Sequence, residues 1–380
     1  QLVSSNSMHN QKKKIKILFT IPNVEISGAE RQLILLVKNI DKIRFDVSVC
    51  SIDGGGPLTD CINKLGITCY EIKRSKSFDI SRLTKLYKII KTNRYDFIVP
   101  FCWSAIQYTR LASLFLPVKH IACERGSDYD LLNLDSIISI ILEPISDLII
   151  FNSKVQMDKY SEKFRFKKIP LKTIVNAINV NDFQSKIDKS LLKQLNLPPE
   201  TMLLGTIGNF SEHKNFEMFI DVCANLSKKF DYLHFIAVGD SASRKSYEAI
   251  VESRNLGKKI SFLGYVKEID KIISNLDMFL LTSIWEGMPN VIMESMASKV
   301  PVISTDIDGA RELIDHGING YLVKSKDVNG MVNTISNIIS SYDDIDTITD
   351  NAFEKISNDF SIDKMVSKYQ DIFSFLYEKK

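Results

Sequence analysis

Residues 286–295 read EGMPNVIMES. Glu286 and Glu294 stand eight positions apart, and a glycine, a proline and an apolar run lie between them. The preceding DMFLLTS (277–283) has the composition of a buried strand, so residues 284–288 form the loop at its carboxyl end. Pro289 suits the first position of a helix, where its missing N–H costs nothing. A helix over 289–298 turns its free N–H groups and positive dipole end towards that loop. Such a tip is an anion site, and phosphate is the usual occupant. Glu286 would stand beside the tip and Glu294 one to two turns along. Carboxylates accept hydrogen bonds from vicinal sugar hydroxyls. The stretch therefore suits a sugar, a phosphate and a second sugar in a row. Taken alone, it reads more simply as two surface glutamates on a core helix.

Other segments shift that balance. In LLGTIGNFSEHKN (203–215) a strand ends at Gly208, Asn209 opens a loop, and Lys214 stands at a helix start. Glycine permits close backbone approach, and lysine offers a phosphate a point charge. TIPNVEISGAER (20–31) sets Gly28 at a similar corner, and DIDGARELI (306–314) does so with Gly309. GYV (264–266) ends a further strand where a planar base can lie against backbone. All these corners fall at carboxyl ends of strands, where parallel α/β sheets open their ligand crevice. His213 neighbours Lys214 and could touch a phosphate. His120, His234 and His316 read as structural, and His9 falls in a lead-in. Three D-x-D triplets, Asp128/Asp130, Asp306/Asp308 and Asp344/Asp346, fit turns and helix caps. No zinc-like spacing occurs, so no metal and no cofactor is expected.

The elements around these corners follow from periodicity. Short β-branched runs alternate with helical patterns from KIKILFTI (14–21) to DLIIFN (147–152), and again from TMLLGTIGNF (201–210) to GYLVKS (320–325). LNLPPE (195–200) reads as a linker between the two sets. Alternation with short loops means two doubly wound parallel sheets, and the cleft between such domains is where ligands bind. Two further helices close the chain, the second starting after Phe360.

Composition is ordinary for a globular protein, 44% hydrophobic and 25% charged. The six cysteines form no CxxC pair and mostly lie in strand-like runs, as reduced, buried thiols of a cytosolic protein do. SIISIILEPISDLIIFN (136–152) is too interrupted by Glu143, Pro144 and Asp147 to span a bilayer. Residues 1–13 read as a flexible lead-in without a signal peptide's apolar core. Net charge is +3, but residues 1–170 carry +9 and the remainder −6. KRSKSFDISRLTKLYKIIKTNR (73–94) holds eight basic residues and one acidic. That run fits a solvated helix face or an anionic membrane leaflet. Nothing accompanying it suggests nucleic acid.

Taken together, GNFSEHKN, AVGD, FLGYV and EGMPNVIMESMASKVPVISTDIDGARELI resemble glycosyltransferase family 4, the retaining nucleotide-sugar transferases of the GT-B fold. SGAE, VNAIN (near 175) and FSIDKMVSKY (360–369) are similar but weaker matches. The resemblance implies an N-terminal Rossmann-like acceptor domain over 14–175 and a donor domain over 176–358. A final helix within 359–380 would pack back towards the N-terminal domain. It implies that Glu294 binds the donor ribose. Glu286, with the backbone of Gly287, Met288, Pro289 and Asn290, would hold the transferred sugar and pyrophosphate. Lys214, beside Gly208 and Asn209, would neutralise the diphosphate, Gly28 would let its loop approach, and Tyr265 and Val266 would flank the base. Arg125, with Glu124, would face the reacting sugar or the acceptor. Glu286, Arg125 and Lys214 are thus the expected catalytic set.

Three positions depart from the pattern: Asn209 stands for an arginine, Ser27-Gly28 for two glycines, and Lys299 for a helix-ending glycine. The activity implied is transfer of a hexose or N-acetylhexosamine from a nucleotide diphosphate sugar, with UDP the expected nucleotide, onto a hydroxyl of a saccharide or lipid-linked saccharide of a surface polysaccharide or O-antigen. The setting would be cytoplasmic, peripheral to the inner membrane face. A sugar-nucleotide epimerase or a non-catalytic nucleotide-sugar-binding module would share the same scaffold.

Overall fold

The computed structural model of the chain describes residues 13–379, apart from 26–27, 75–78, 126–133, 164–167, 185–188 and 342–343. Most of the lead-in lies outside the described residues, as do His9, Ser27 and the Asp128/Asp130 triplet.

The first half runs β1 (Ile15–Ile21), α1 (Gly28–Asn39), β2 (Phe45–Ser51), α2 (Thr59–Lys64), β3 (Thr68–Glu71), α3 (Ile80–Asn93) and β4 (Phe97–Pro100). It continues with α4 (Trp103–Ser113), β5 (Lys119–Glu124), α5 (Leu134–Leu142), β6 (Leu148–Phe151), α6 (Lys154–Lys163) and β7 (Leu171–Thr173). The second half runs α7 (Ser190–Gln194), β8 (Met202–Ile207), α8 (Phe216–Ser227), β9 (Leu233–Val238), α9 (Arg244–Ser253), β10 (Ile260–Gly264), α10 (Ile269–Ile273) and β11 (Met278–Leu281). Then come α11 (Asn290–Ala297), β12 (Val302–Thr305), α12 (Asp308–Arg311), β13 (Tyr321–Val323), α13 (Val328–Ser340), α14 (Ile345–Asp359) and α15 (Ile362–Glu378).

Among the described residues the strands form two wholly parallel sheets, ordered β3-β2-β1-β4-β5-β6-β7 and β10-β9-β8-β11-β12-β13. In each, the order reverses beside the first strand, between β1 and β4 and between β8 and β11. These are the switch points at which an α/β sheet opens a crevice. These are the two doubly wound parallel sheets expected from the alternation, and they form the GT-B architecture that the family resemblance implies. No described helix is long and apolar enough to cross a membrane.

The last helix belongs spatially to the first domain. Ser361 caps α15 by accepting from Lys364 N–H. Met365, Val366, Tyr369 and Phe373 then enter the core beneath β1, β2 and β4. The Phe373 ring meets Phe19 at 6.2 Å and Phe45 at 6.0 Å, both edge-on. Two strands of chain therefore pass between the domains side by side, and Ile178 N–H donates to Phe360 O across them at 2.9 Å. The part of the basic run from Ile80 on is helix α3, capped by Asp79, which accepts from Ser81 N–H, and ended by Arg94 in a left-handed conformation. The cysteine expectation holds only in part: all six are free, but only Cys50, Cys123 and Cys223 are buried, Cys69 and Cys102 are half-buried, and Cys61 is exposed on the short helix α2.

Phe373→Ala should cost about 3–5 kcal/mol, the range for deleting a buried aromatic ring, and lower the urea midpoint of the N-terminal domain. Phe375→Ala, at an exposed position of the same helix, should leave it nearly unchanged. Equal midpoints for both variants would show that α15 does not brace that domain.

Candidate functional site

A cavity of about 850 Å³ opens where the two switch points face each other. Gly28, Arg31 and Arg125 line it from the first domain, and Asn176 from the segment that joins the two. Gly208, Asn209, Lys214, Tyr265, Val266, Glu286, Gly287, Met288, Pro289, Asn290 and Glu294 line it from the second. The volume is that of an ordinary small-molecule site. Every candidate from the sequence reaches this cavity except Glu124. That residue ends β5 in a buried position and does not line the cavity.

The tip of α11 is built slightly differently from the expectation. Pro289 is the residue before the helix, with ψ 104°, and Asn290 is the first helical residue. The extended ψ lets Pro289 O accept from Ile292 N–H at 3.1 Å and begin the helical ladder. The loop ahead of it is held by close packing. A Cβ on Gly309 would come within 2.6 Å of Gly287 O and 2.9 Å of Glu286 O, so only glycine fits there. Gly239 is a second such point, since a Cβ would meet Gly208 O at 1.9 Å. Lys214 does not start a helix. It sits on a single 3-10 turn, Glu212–Lys214, and Asn215 in a left-handed conformation separates it from α8.

Two ion pairs organise the charge. Lys214 Nζ pairs with Glu286, which also accepts from Ser283 Oγ at 2.8 Å. Arg31 Nη1 pairs with Glu294 at 2.9 Å. The second pair joins the domains, because Arg31 is on α1 and Glu294 on α11. Glu294 is only 7% exposed. Burial pushes its carboxyl above the usual range, and the Arg31 guanidinium pulls it back. Sequence reasoning missed Arg31. The available signal was its position three residues after Gly28, one helical turn on along α1.

A polar seam runs beside these pairs. Asn290 Nδ2 donates to Gly28 O at 3.1 Å, and Asn290 Oδ1 accepts from Asn176 Nδ2 at 2.8 Å. Gln32 donates to Ala177 O and accepts from Ala177 N–H, both at 2.8 Å. Arg125 donates to Asn176 Oδ1 and to Tyr369 OH, each at 2.7 Å, and its guanidinium stacks over Phe101 at 4.3 Å. Further out, Lys159 pairs with Asp308 at 2.7 Å, and Ser153 Oγ and Val155 N–H donate to Glu312.

His213 lines the cavity, stacks on Trp285 at 4.6 Å and has its pKa lowered, chiefly by burial. The other described histidines sit elsewhere. His120 is buried between Thr109 and Ser146, and burial holds it neutral. His234 contacts Ser261, and burial lowers its pKa to about 4. His316 Nδ1 accepts from Leu322 N–H. Asp306 is engaged by Arg311, and Asp308 by Lys159. Among the described residues no three His, Cys, Asp or Glu side chains cluster as metal ligands. Near Arg125, burial pushes the Cys102 thiol up to about 12 and Cys123 up to about 11, so neither is a ready nucleophile.

Two family models match consecutive parts of the chain: Glycosyltransferase Family 4 over residues 26–182 and Glycosyl transferases group 1 over residues 188–355. An Escherichia coli UDP-Gal:alpha-D-GlcNAc-diphosphoundecaprenol alpha-1,3-galactosyltransferase is 23% identical, over 96% of this chain and 98% of its own. A Campylobacter jejuni alpha-1,4-N-acetyl-D-galactosaminyltransferase, named for a diNAcBac-PP-undecaprenol-linked acceptor, is 28% identical over 82% of this chain and 86% of its own. Among solved structures, Anabaena HepE in complex with UDP-glucose superposes with a TM-score of 0.85 at 21% identity, covering 95% of this chain and 99% of its own. Sucrose-phosphate synthase from Thermosynechococcus elongatus does so at 0.79 and 17%, covering 97% and 100%. At these identities the structural likeness speaks for the fold.

Arg31→Ala leaves the Glu294 carboxylate without its cation. Arg31 is partly solvated, so the expected cost is about 1–2 kcal/mol near pH 8, less than for a fully buried pair. The lost cation raises the folded-state pKa of Glu294 further. A raised folded pKa means stability is retained on the acid side and lost as pH rises through it. The deficit in urea denaturation should therefore shrink on acidification. A deficit that grew towards low pH would contradict this pairing.

Proposed function

Because the chain belongs to glycosyltransferase family 4, with both halves matched, we propose a specific transfer. It moves a hexose or N-acetylhexosamine from a UDP-sugar to a hydroxyl of a lipid-linked saccharide, with retention of anomeric configuration. The observation carrying this reading is the convergence of Glu286, Lys214, the α11 tip and Glu294 on one cavity. The order of groups along that wall fits a sugar, a diphosphate and a ribose. The lipid-linked acceptors named for the Escherichia coli and Campylobacter relatives support the acceptor class and a role in surface-polysaccharide or O-antigen synthesis. The UDP-glucose complex of the Anabaena protein supports the donor class.

In this mechanism the bond from the sugar's anomeric carbon to the diphosphate oxygen breaks, and a bond to the acceptor oxygen forms on the same face. The departing phosphate takes the acceptor's proton. Lys214 and the free N–H groups at the α11 tip stabilise the charge growing on the leaving group. For that, Lys214 must exchange part of its contact with Glu286 for phosphate, which frees Glu286 to accept from sugar hydroxyls. Glu294 accepts from the ribose, and Arg125 orients the acceptor side. The domains exclude water while the sugar is transferred. The reaction needs no metal, because lysine and helix tip supply the positive charge and the Asp306/Asp308 pair is bound to Arg311 and Lys159.

Lys214→Ala should lower kcat at least about a hundredfold while UDP binding weakens less. Chelation by EDTA should leave the rate unchanged, and a rate restored only by a divalent ion would refute the metal-free scheme. Titration with UDP, CDP and GDP, set beside Glu286→Ala, separates the readings. An epimerase would convert free nucleotide sugar without acceptor, and a binding module would hold UDP without turning over any lipid-linked acceptor. A product of inverted configuration would exclude same-face transfer.

A further inference from the structure

Buried polar atoms in folded proteins are nearly always hydrogen-bonded, so each orphan calls for an explanation. Among the described residues nine buried side-chain nitrogen and oxygen atoms have no partner. Three of them, Arg125 Nε, Asn152 Oδ1 and Gln156 Oε1, gather at one corner of the cleft. Strands β5 and β6 are neighbours with Glu124 opposite Phe151. Arg125 and Asn152 therefore follow side by side at the carboxyl edge of the sheet, and both line the cavity. Asn152 is only 3% exposed.

The turn that carries Asn152 is fastened to the other domain. Gln156 Nε2 donates to Glu286 O at 3.3 Å. Ser153 Oγ and Val155 N–H donate to Glu312 Oε1 at 2.9 and 2.8 Å. Glu312 directly follows α12, whose Gly309 lies against the Glu286–Gly287 backbone. Asn152 thus stands across from the loop that, in the proposed transfer, holds the donor's sugar. Its Oδ1 is an acceptor without a donor, and a sugar hydroxyl is a donor. An unmet buried acceptor has already lost its water, so a hydroxyl that reaches it gains more than one bonding to a solvated oxygen.

We propose that Asn152 is a specificity residue for the transferred sugar: its Oδ1 accepts from one ring hydroxyl of the hexose, while Glu286 accepts from others. Arg125 flanks the same hydroxyl-rich group with its unpartnered Nε–H. Gln156 does not line the cavity and is a positioning residue, holding the Asn152 turn to the Glu286 backbone. A site built to accept from a hydroxyl rejects the analogue that lacks it, because the carbonyl is left bare again. The N-terminal domain thereby takes part in choosing the donor. The identity of the ligand rests on the proposed transfer; the orphan acceptor does not.

The test is calorimetric titration of the full chain with UDP, UDP-glucose, UDP-galactose, UDP-N-acetylglucosamine and UDP-N-acetylgalactosamine. The tightest-binding sugar nucleotide is then compared with its deoxyfluoro analogues at each free hydroxyl. Fluorine cannot donate, so one analogue should bind the wild type about fivefold to tenfold more weakly than its parent. Asn152→Leu, close in shape but without the acceptor, should bind that parent and that analogue equally and hold UDP at wild-type affinity. Its thermal midpoint without ligand should stay level or rise, because an unmet buried acceptor has been removed. Asn152→Ala repeats the comparison if leucine overpacks the site, and the fluorinated series on the wild type needs no variant. Every analogue binding the wild type like its parent, or a leucine variant that still discriminates, overturns the proposal. So does a variant with a lowered midpoint that loses UDP and UDP-sugar affinity alike, since Asn152 would then be structural. A wild type that ignores UDP and every UDP-sugar would sink the transferase reading as well; UDP-sugar binding indifferent to fluorine and to Asn152 would sink this proposal alone.

Discussion

One carboxamide touches both halves of this molecule. Asn290 opens helix α11, and its two polar atoms reach Gly28 O on one side and Asn176 on the other. Helix termini leave N–H groups unsatisfied, and their value as an anion site depends on where they point. Here the direction is set by a side chain tied to the opposite domain. Gln32, clamped on Ala177, and Arg125, bound to Asn176 and Tyr369, extend the same seam into the core. Two domains joined only by chain crossovers would otherwise meet loosely, as interdomain contacts commonly do. The seam makes the cavity walls parts of one hydrogen-bonded unit.

Charge is arranged with similar economy. Two cleft carboxylates are held by cations, Glu286 by Lys214 and Glu294 by Arg31. A buried acid is costly unless paired, so these contacts lower the cost of keeping acids in the cleft wall. The arginine usual in the family's phosphate loop is Asn209 here, and Asn209 contacts Ser211 instead. Arg31 brings a guanidinium to the same cavity from the other domain. The cavity thus draws its cations from both halves, and its electrostatics depend on their mutual position.

The cleft wall and the outer helical layer use the same topology differently. Strand carboxyl ends face the cleft, so the loops after β1, β8 and β11 supply polar groups to it. The helices α3, α4 and α5 start from that edge and carry lysines and bare apolar side chains away from it.

Much of this was legible in the chain itself. Alternating strand and helix patterns specify two doubly wound sheets, because burial on both strand faces demands continuous apolar runs and crossovers demand amphipathic helices. Gly208, Lys214 and Glu286 were readable as one wall, since they stand in the loops that follow β8 and β11, and Glu294 because it lies on the helix that the second loop opens. What lay beyond reach were contacts between residues distant in sequence. Arg31 and Glu294 are 263 positions apart, and Asn176 meets Asn290 across the domain boundary. The run containing Glu124 and Arg125 also could not be resolved, because adjacent strand residues point to opposite sides, and only packing decides which one meets the cavity. Local pattern, set by backbone geometry and burial, determined the elements and the types of group at each corner. The relative placement of two separately folded sheets, governed by a few polar contacts between them, was decided by tertiary structure alone.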